Sequence, residues 1–255
     1  MKYAGMVEIQ GGTFVMGSPE GEGEAREHPQ HTVEVDAFSM DKTPVTQREY
    51  RALIGVNPSV DRASDLQPVQ DVNWFDAVLY CNARSRRDGM EEVYRFTAIH
   101  GTPGGPCMGL QDLEIDFTRR GYRLATEAEW EYACRAGSTT RFFWGEQMDG
   151  DYAWWTGNSK TMQPVGTKRP NPWGLYDMAG NAQEWCNDWF GEEYYSVSPS
   201  RNPEGPDAGE TRILRGGSCY PYKDNGGHLR CTNRSNYLPQ NPREAFSFRC
   251  VVSQL

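Results

Sequence analysis

The chain has 255 residues, enough for one large domain or two small ones, and its 37% hydrophobic content is enough to bury a substantial core. Twenty-six Lys plus Arg against 35 Asp plus Glu leave a formal charge of -9, which repels phosphate backbones and argues against nucleic acid as a partner. No apolar run approaches the ~20 residues that a membrane helix needs, and Met1 to Gln10 lacks the apolar stretch of a secretory leader, so the expectation is a chain without a membrane segment, cytoplasmic by default.

In chain order, the alternation from His31 to Phe38 reads as a half-buried strand. Capping pairs then mark helix starts, because a Thr or Asn side chain accepts the N–H three residues on and an acidic residue there reaches back. Thr46 with Glu49 precedes Tyr50, Leu53 and Ile54, and Asn73 with Asp76 precedes Ala77, Val78 and Cys81. Gly101 to Gly109 reads as a surface insertion. Arg123-Leu124 looks like a strand end before the third pair, Thr126 with Glu129, whose helix should stop at Ala136-Gly137. Each helix is expected to run ~8–12 residues. A Pro- and Gly-rich loop follows from Ser198 to Gly209, then a half-buried strand at Arg212 to Arg215. With 27 Gly, 16 Pro and 12% aromatic residues, short strands and shaped loops are favoured over a helical bundle. No internal repeat or low-complexity tract divides the chain, so residues 1–255 read as one domain.

Several segments fall into a known succession. Gly11-Gly12-Thr13-Phe14-Val15-Met16-Gly17-Ser18 is followed by Pro44-Val45-Thr46 and by Pro68-Val69 leading into Trp74. Then come Tyr122-Arg123-Leu124-Ala125-Thr126-Glu127-Ala128-Glu129-Trp130-Glu131-Tyr132, Gly174-Leu175-Tyr176-Asp177-Met178-Ala179-Gly180-Asn181, Glu184-Trp185, Arg215-Gly216-Gly217-Ser218 and Phe248-Arg249. This order resembles the formylglycine-generating enzyme family, also called sulfatase-modifying factors, over essentially the whole chain. The resemblance implies an irregular α+β fold of C-type-lectin type, with two main helices packed on short antiparallel sheets. It also implies an oxidase that converts a sulfatase cysteine to formylglycine with O₂ and Cu(I).

That chemistry needs two thiolates, since a soft monovalent ion is best gripped by sulfur. The family places them five residues apart after Gly-Gly-Ser; the corresponding positions here are Pro221 and Gly226, and neither can hold copper. A copper and O₂-dependent oxidase would have to rest on Cys219 and Cys231. By resemblance, Cys81 with Cys250 and Cys134 with Cys231 match positions that are bridged in some members, the alternative being buried reduced thiols. The family's calcium site maps onto the side chains of Asp177 and Glu184 and the carbonyls of Gly180 and Ala182, the alternative being carboxylates that cap turns and pair with arginines. A second calcium site needs an Asn where Trp154 stands and is expected to be lost. His28 and His31 are too sparse for the iron site of related sulfoxide synthases and are expected in a solvated loop.

From Ser218 to Phe248 the chain is rich in Tyr, Asn, Ser, Gly and Arg, the composition of a recognition surface. The same region resembles the variable segment of proteins diversified by diversity-generating retroelements, with Arg215-Gly216-Gly217-Ser218, Arg230, Arg234, Phe248 and Arg249 as its frame. On that reading Tyr220, Tyr222, Asn225, His228, Asn233, Asn236 and Tyr237 face a ligand. The expected function is a binding module that shows residues about 215–250 to a protein or glycan; the alternative is the copper oxidase.

Overall fold

The computed structural model describes residues 3, 5–105, 107–220 and 226–254. The chain order is β1 (Met6–Ile9), β2 (Gly12–Met16), β3 (His31–Val35), β4 (Phe38–Asp41), α1 (Gln47–Ile54), α2 (Trp74–Arg87), β5 (Tyr94–Arg95), β6 (Ala98–Gly101), β7 (Cys107–Gln111), β8 (Glu114–Ile115), β9 (Tyr122–Leu124), α3 (Glu127–Arg135), β10 (Gln183–Trp189), β11 (Arg212–Arg215), β12 (Ser235–Tyr237), β13 (Phe246–Ser247) and β14 (Cys250–Ser253). This is an irregular α+β fold. Among the described residues, no helix is long and apolar enough to cross a membrane.

The helices begin where local hydrogen bonding dictates. In α1 the Thr46 hydroxyl accepts the Glu49 N–H at 3.2 Å, and the Glu49 carboxylate accepts the Thr46 N–H at 2.9 Å. Thr126 and Glu129 repeat that exchange at the start of α3, with the same distances. Asn73 caps α2 through the Asp76 N–H at 2.9 Å, while the Asp76 carboxylate also accepts the N–H of Gly104 at 3.3 Å. Helix α2 runs 14 residues, longer than the sequence suggested. Its polar Asn82 and Ser85 are buried and satisfied from inside the fold, Asn82 donating to the Tyr94 carbonyl and Ser85 to the Cys81 carbonyl, so they continue the helix. Helix α3 stops at Ala136, whose φ of 46° is left-handed, with Gly137 following at φ 88°.

Two four-stranded sheets carry the molecule, ordered β1-β4-β14-β9 and β12-β11-β10-β13. In the first, the last strand lies antiparallel to both β4 and β9, pairing Val251 with Met40 on one side and with Arg123 on the other. In the second, β11 is interior: Leu214 pairs Trp185 of β10 and Ser235 of β12. The expectation of a half-buried strand at Arg212 to Arg215 is therefore corrected, since all four residues are buried. The segment from His31 to Phe38 is two strands broken at Asp36-Ala37, and Gly101 to Gly109, read as a surface insertion, takes part in the β6–β7 hairpin. His31 lies within β3, half-buried against the Tyr195 ring at 4.8 Å between centroids, rather than in a solvated loop.

One apolar cluster packs α2 on β9 and β14 through Trp74, Val78, Tyr94, Leu124 and Phe248. A second packs α3 under β10 and β11 through Trp130, Ala133, Met178, Cys186 and Ile213. Both are dense in rings, which bury large areas in flat shapes that short strands can cover.

Candidate ligand-binding surface

The frame beneath the C-terminal loops is built of buried ion pairs. Glu127 and Glu131, one turn apart on α3, both face β11. Arg215 donates to Glu127 at 3.2 Å and Glu131 at 2.5 Å, and also to the carbonyls of Cys231 and Thr232. Arg234 grips both oxygens of Glu127 at 2.8 and 2.9 Å. Arg230 grips both oxygens of Glu27 at 2.6 and 2.7 Å, and Ser18 donates to the same carboxylate. Each guanidinium thus fixes one point of the backbone between 230 and 234, and removing one partner would strand a buried charge. Gly217 completes the clasp: its φ is 66°, and a Cβ there would lie 2.6 Å from the His228 carbonyl oxygen.

On this frame the candidate ligand-facing residues separate. Tyr220 is half-buried; its hydroxyl donates to Gln70 Oε1 at 3.3 Å and its carbonyl accepts the Thr156 hydroxyl at 3.0 Å. Burial pushes its phenol well above the ordinary range, with Glu244, Cys219, Asp61 and Asp71 adding to the rise. Asn236 and Tyr237 are half-buried on the outer strand β12, where the Tyr237 hydroxyl accepts Arg243 Nε at 2.8 Å. His228 and Asn233 are buried, 3% and 8% exposed, and the His228 ring lies with Nε2 3.2 Å from the Ser218 carbonyl. As arranged, those two side chains support the surface rather than form it. Tyr222 and Asn225 lie outside the described residues.

The other side of this surface was not legible in the sequence. The segment from Met148 to Lys168 packs beside the C-terminal loop: a Cβ on Gly226 would sit 3.2 Å from the Met148 sulfur and 3.7 Å from the Trp155 ring. Trp154 packs with Tyr220 around Met162, Ala182 and Cys219, and the Lys168 ammonium lies 3.9 Å from the Trp154 ring centroid. A ring patch of this kind is the signal that the aromatic content carried without revealing its place.

At the position the family uses for copper, no two thiols meet. Gly226 has no side chain at one of the two family positions, and Pro221 at the other lies outside the described residues. Cys219 is buried beside Met162 and Ala182, its thiol pushed up to about 12 by burial. Cys231 belongs to a different cluster, its sulfur 3.7 Å from that of Cys134. The pair Cys219 and Cys231 is therefore not an arranged copper site. Cys81 and Cys250 also meet at 3.7 Å, and all four of these thiols are free and buried. Cys107, read from the sequence as part of an exposed insertion, is buried as well.

Calcium needs six to eight oxygens, mostly uncommitted. Both oxygens of Glu184 already accept from protein: Arg249 donates to them at 2.6 and 2.7 Å, and Trp130 Nε1 donates at 2.9 Å. A dication there would press against a guanidinium. Asp177 accepts the Gly166 N–H at 2.7 Å, and burial pushes its carboxyl up to about 6, which disfavours the ionised form that calcium requires. Among the described residues no three His, Cys, Asp or Glu side chains gather as metal ligands. As arranged, Asp177, Gly180, Ala182 and Glu184 do not fit calcium, and Glu184 instead pairs with an arginine.

With this geometry in place, comparison with known proteins shows what the chain resembles. The family model described as the sulfatase-modifying factor enzyme 1-like domain matches residues 1–254. The formylglycine-generating enzyme of Streptomyces coelicolor is 33% identical over 279 residues, covering 97% of this chain and 88% of that one. Among solved structures, Treponema denticola variable protein 1 superposes with a TM-score of 0.84 at 29% identity, covering 98% of this chain and 95% of its own. PvdO from Pseudomonas aeruginosa does so with a TM-score of 0.76 at 25% identity, covering 98% and 94%.

Proposed function

The chain belongs to the sulfatase-modifying factor family, and from that premise we propose that it is a non-catalytic ligand-binding module that presents its C-terminal surface to a protein or glycan. The observation that carries the reading is the missing thiolate pair: bare backbone stands at Gly226, and the nearby sulfurs of Cys219 and Cys231 are buried in separate clusters. The two sulfur pairs of the chain, Cys134 with Cys231 and Cys81 with Cys250, are buried in the cores, so at this surface a Cu(I) ion has no paired soft grip from which oxygen chemistry on a substrate thiol could start.

The likeness to a variable protein supports the same reading from the other direction. Tyr220, Asn236 and Tyr237 stand at the outer edge, backed by a frame of buried ion pairs that holds the backbone while exposed side chains change. Rigid rings with a polar tip give contact area at low entropic cost. The adjoining Trp154 and Trp155 extend that patch with flat faces that suit sugar rings or apolar protein side chains.

The test pairs two measurements on the purified chain. Titration with Cu(I) against a competing chromophoric chelator is expected to show no sub-micromolar binding, and incubation of a cysteine-bearing sulfatase peptide with copper and O₂ is expected to leave the cysteine unchanged by mass spectrometry. Appearance of formylglycine would overturn the proposal.

A further inference from the structure

Six of the buried arginines, Arg123, Arg135, Arg215, Arg230, Arg234 and Arg249, each pair with a carboxylate. Arg212 on β11 is buried to the same degree, 4% exposed, yet among the described residues it has no ion-pair partner. Its guanidinium lies between two indoles, 3.9 Å from the Trp74 ring centroid and 3.5 Å from that of Trp189. Nη1 donates to the Asn187 carbonyl at 2.5 Å, Nε is buried without an acceptor, and no described residue accepts from Nη2. The neighbouring Asp188 does not compensate: its carboxylate already accepts the Glu127 N–H at 2.8 Å, and burial pushes its carboxyl well above the ordinary range. Burial likewise lowers Arg212 to about 9, the mark of a charge taken out of water without a partner.

Arg212 lines a pocket of about 340 Å³, within the usual span for small ligands of ~300–1,000 Å³. Leu113, Ile115 and Pro206 give it apolar walls, and Glu204 and Asp207 stand in its lining, Glu204 also feeling the Arg123 charge on its other side. The charges narrow what fits. A simple anion would be drawn by Arg212 but repelled by Glu204 and Asp207, and a simple cation would meet the reverse. A molecule with both charges on one small body satisfies all three groups, while its carbon skeleton covers the apolar walls.

We propose that this pocket binds a small zwitterion of the α-amino acid class with an apolar side chain, its carboxylate taken by the indole-clamped Arg212 and its ammonium by Glu204 and Asp207. Stacking between two rings fixes the plane of the guanidinium and leaves Nη2 as the donor for the carboxylate. Its lining shares no residue with the C-terminal surface, which it adjoins where Arg212 pairs with Tyr237 across β11 and β12.

The experiment uses the intact protein and the free proteinogenic amino acids as probes, read by calorimetric titration and by melting temperature. Saturable binding is expected for at least one apolar amino acid. Its amide, which lacks the carboxylate, and the matching carboxylic acid, which lacks the ammonium, should each bind weaker by about tenfold or more, as loss of a charge-assisted contact implies. Arg212→Met should abolish binding. Because that change can itself unfold the protein, Leu113→Trp provides the second arm: it fills the pocket from a half-buried surface position and should abolish binding without lowering the melting temperature of the ligand-free protein. No saturable binding by any amino acid, binding retained by the amide, or binding that Leu113→Trp leaves intact would each overturn the proposal.

Discussion

Asp76 shows how one side chain can join two elements and make stability depend on pH. It occupies the first turn of α2, and its carboxylate takes the N–H of Gly104 in the β6–β7 turn. Burial lifts its carboxyl to about 7, against roughly 3.9 for an exposed aspartate. Between about pH 4 and pH 7 the unfolded chain has released this proton while the folded chain keeps it. The stability contributed is therefore full below pH ~4 and is lost as pH rises to ~7. Urea unfolding of Asp76→Asn against the parent should show the difference moving in favour of the variant across that window and levelling above it. A pH-independent difference would exclude Asp76 as the source. At this scale much was legible: Arg215, Arg230, Arg234 and Arg249 read as a frame, and the structure gives each a buried carboxylate. The sequence offers Glu184 an arginine without saying which one and gives no sign of Glu27, because these carboxylates are brought to Arg249 and Arg230 across 65 and 203 residues of chain, which no local spacing reveals.

Helix α3 is the element most nearly written into its own sequence. Thr126 and Glu129 close the reciprocal cap, and the apolar face of Trp130, Ala133 and Cys134 packs into the second core cluster. Thr126→Ala should cost about 1 kcal/mol in urea unfolding, the usual price of an N-cap side chain. A loss near zero would mean that the buried ion pairs of Glu127 and Glu131 hold the helix without its cap. Helix α2 was harder to bound, since Asn82 and Ser85 look like a polar end but are satisfied by carbonyls within the fold. Strand β11 misleads in the opposite way. Arginines at both of its ends suggest a solvent face, whereas Arg212 is stacked between rings and Arg215 is neutralised by α3. Charge in a sequence marks a surface only where no partner waits inside.

For the molecule as a whole, two cores and two four-stranded sheets meet around a network of paired charges. Exhaustive treatment with EDTA is expected to leave the melting temperature unchanged in calorimetry; a fall reversed by added calcium would show that the Arg249 to Glu184 pair yields to a cation. The succession of motifs along the chain made the fold legible, because it records which segments must meet. The candidate surface was legible on one side alone: Tyr220, Asn236 and Tyr237 belong to the segment that composition singled out. Met148, Trp154 and Trp155 arrive from more than sixty positions upstream and reveal themselves through packing against Gly226 and Tyr220.

Strand β14 closes the first sheet from its middle, with β4 on one flank and β9 on the other. Every codon between the frame of the candidate surface and that strand must therefore be read in register before the sheet can form. Changes of letter within the loops leave β14 its sequence, whereas a slipped reading frame replaces it and unpairs both neighbours. The pairing of the first sheet thus depends on an unshifted reading of all the loops that precede its last strand.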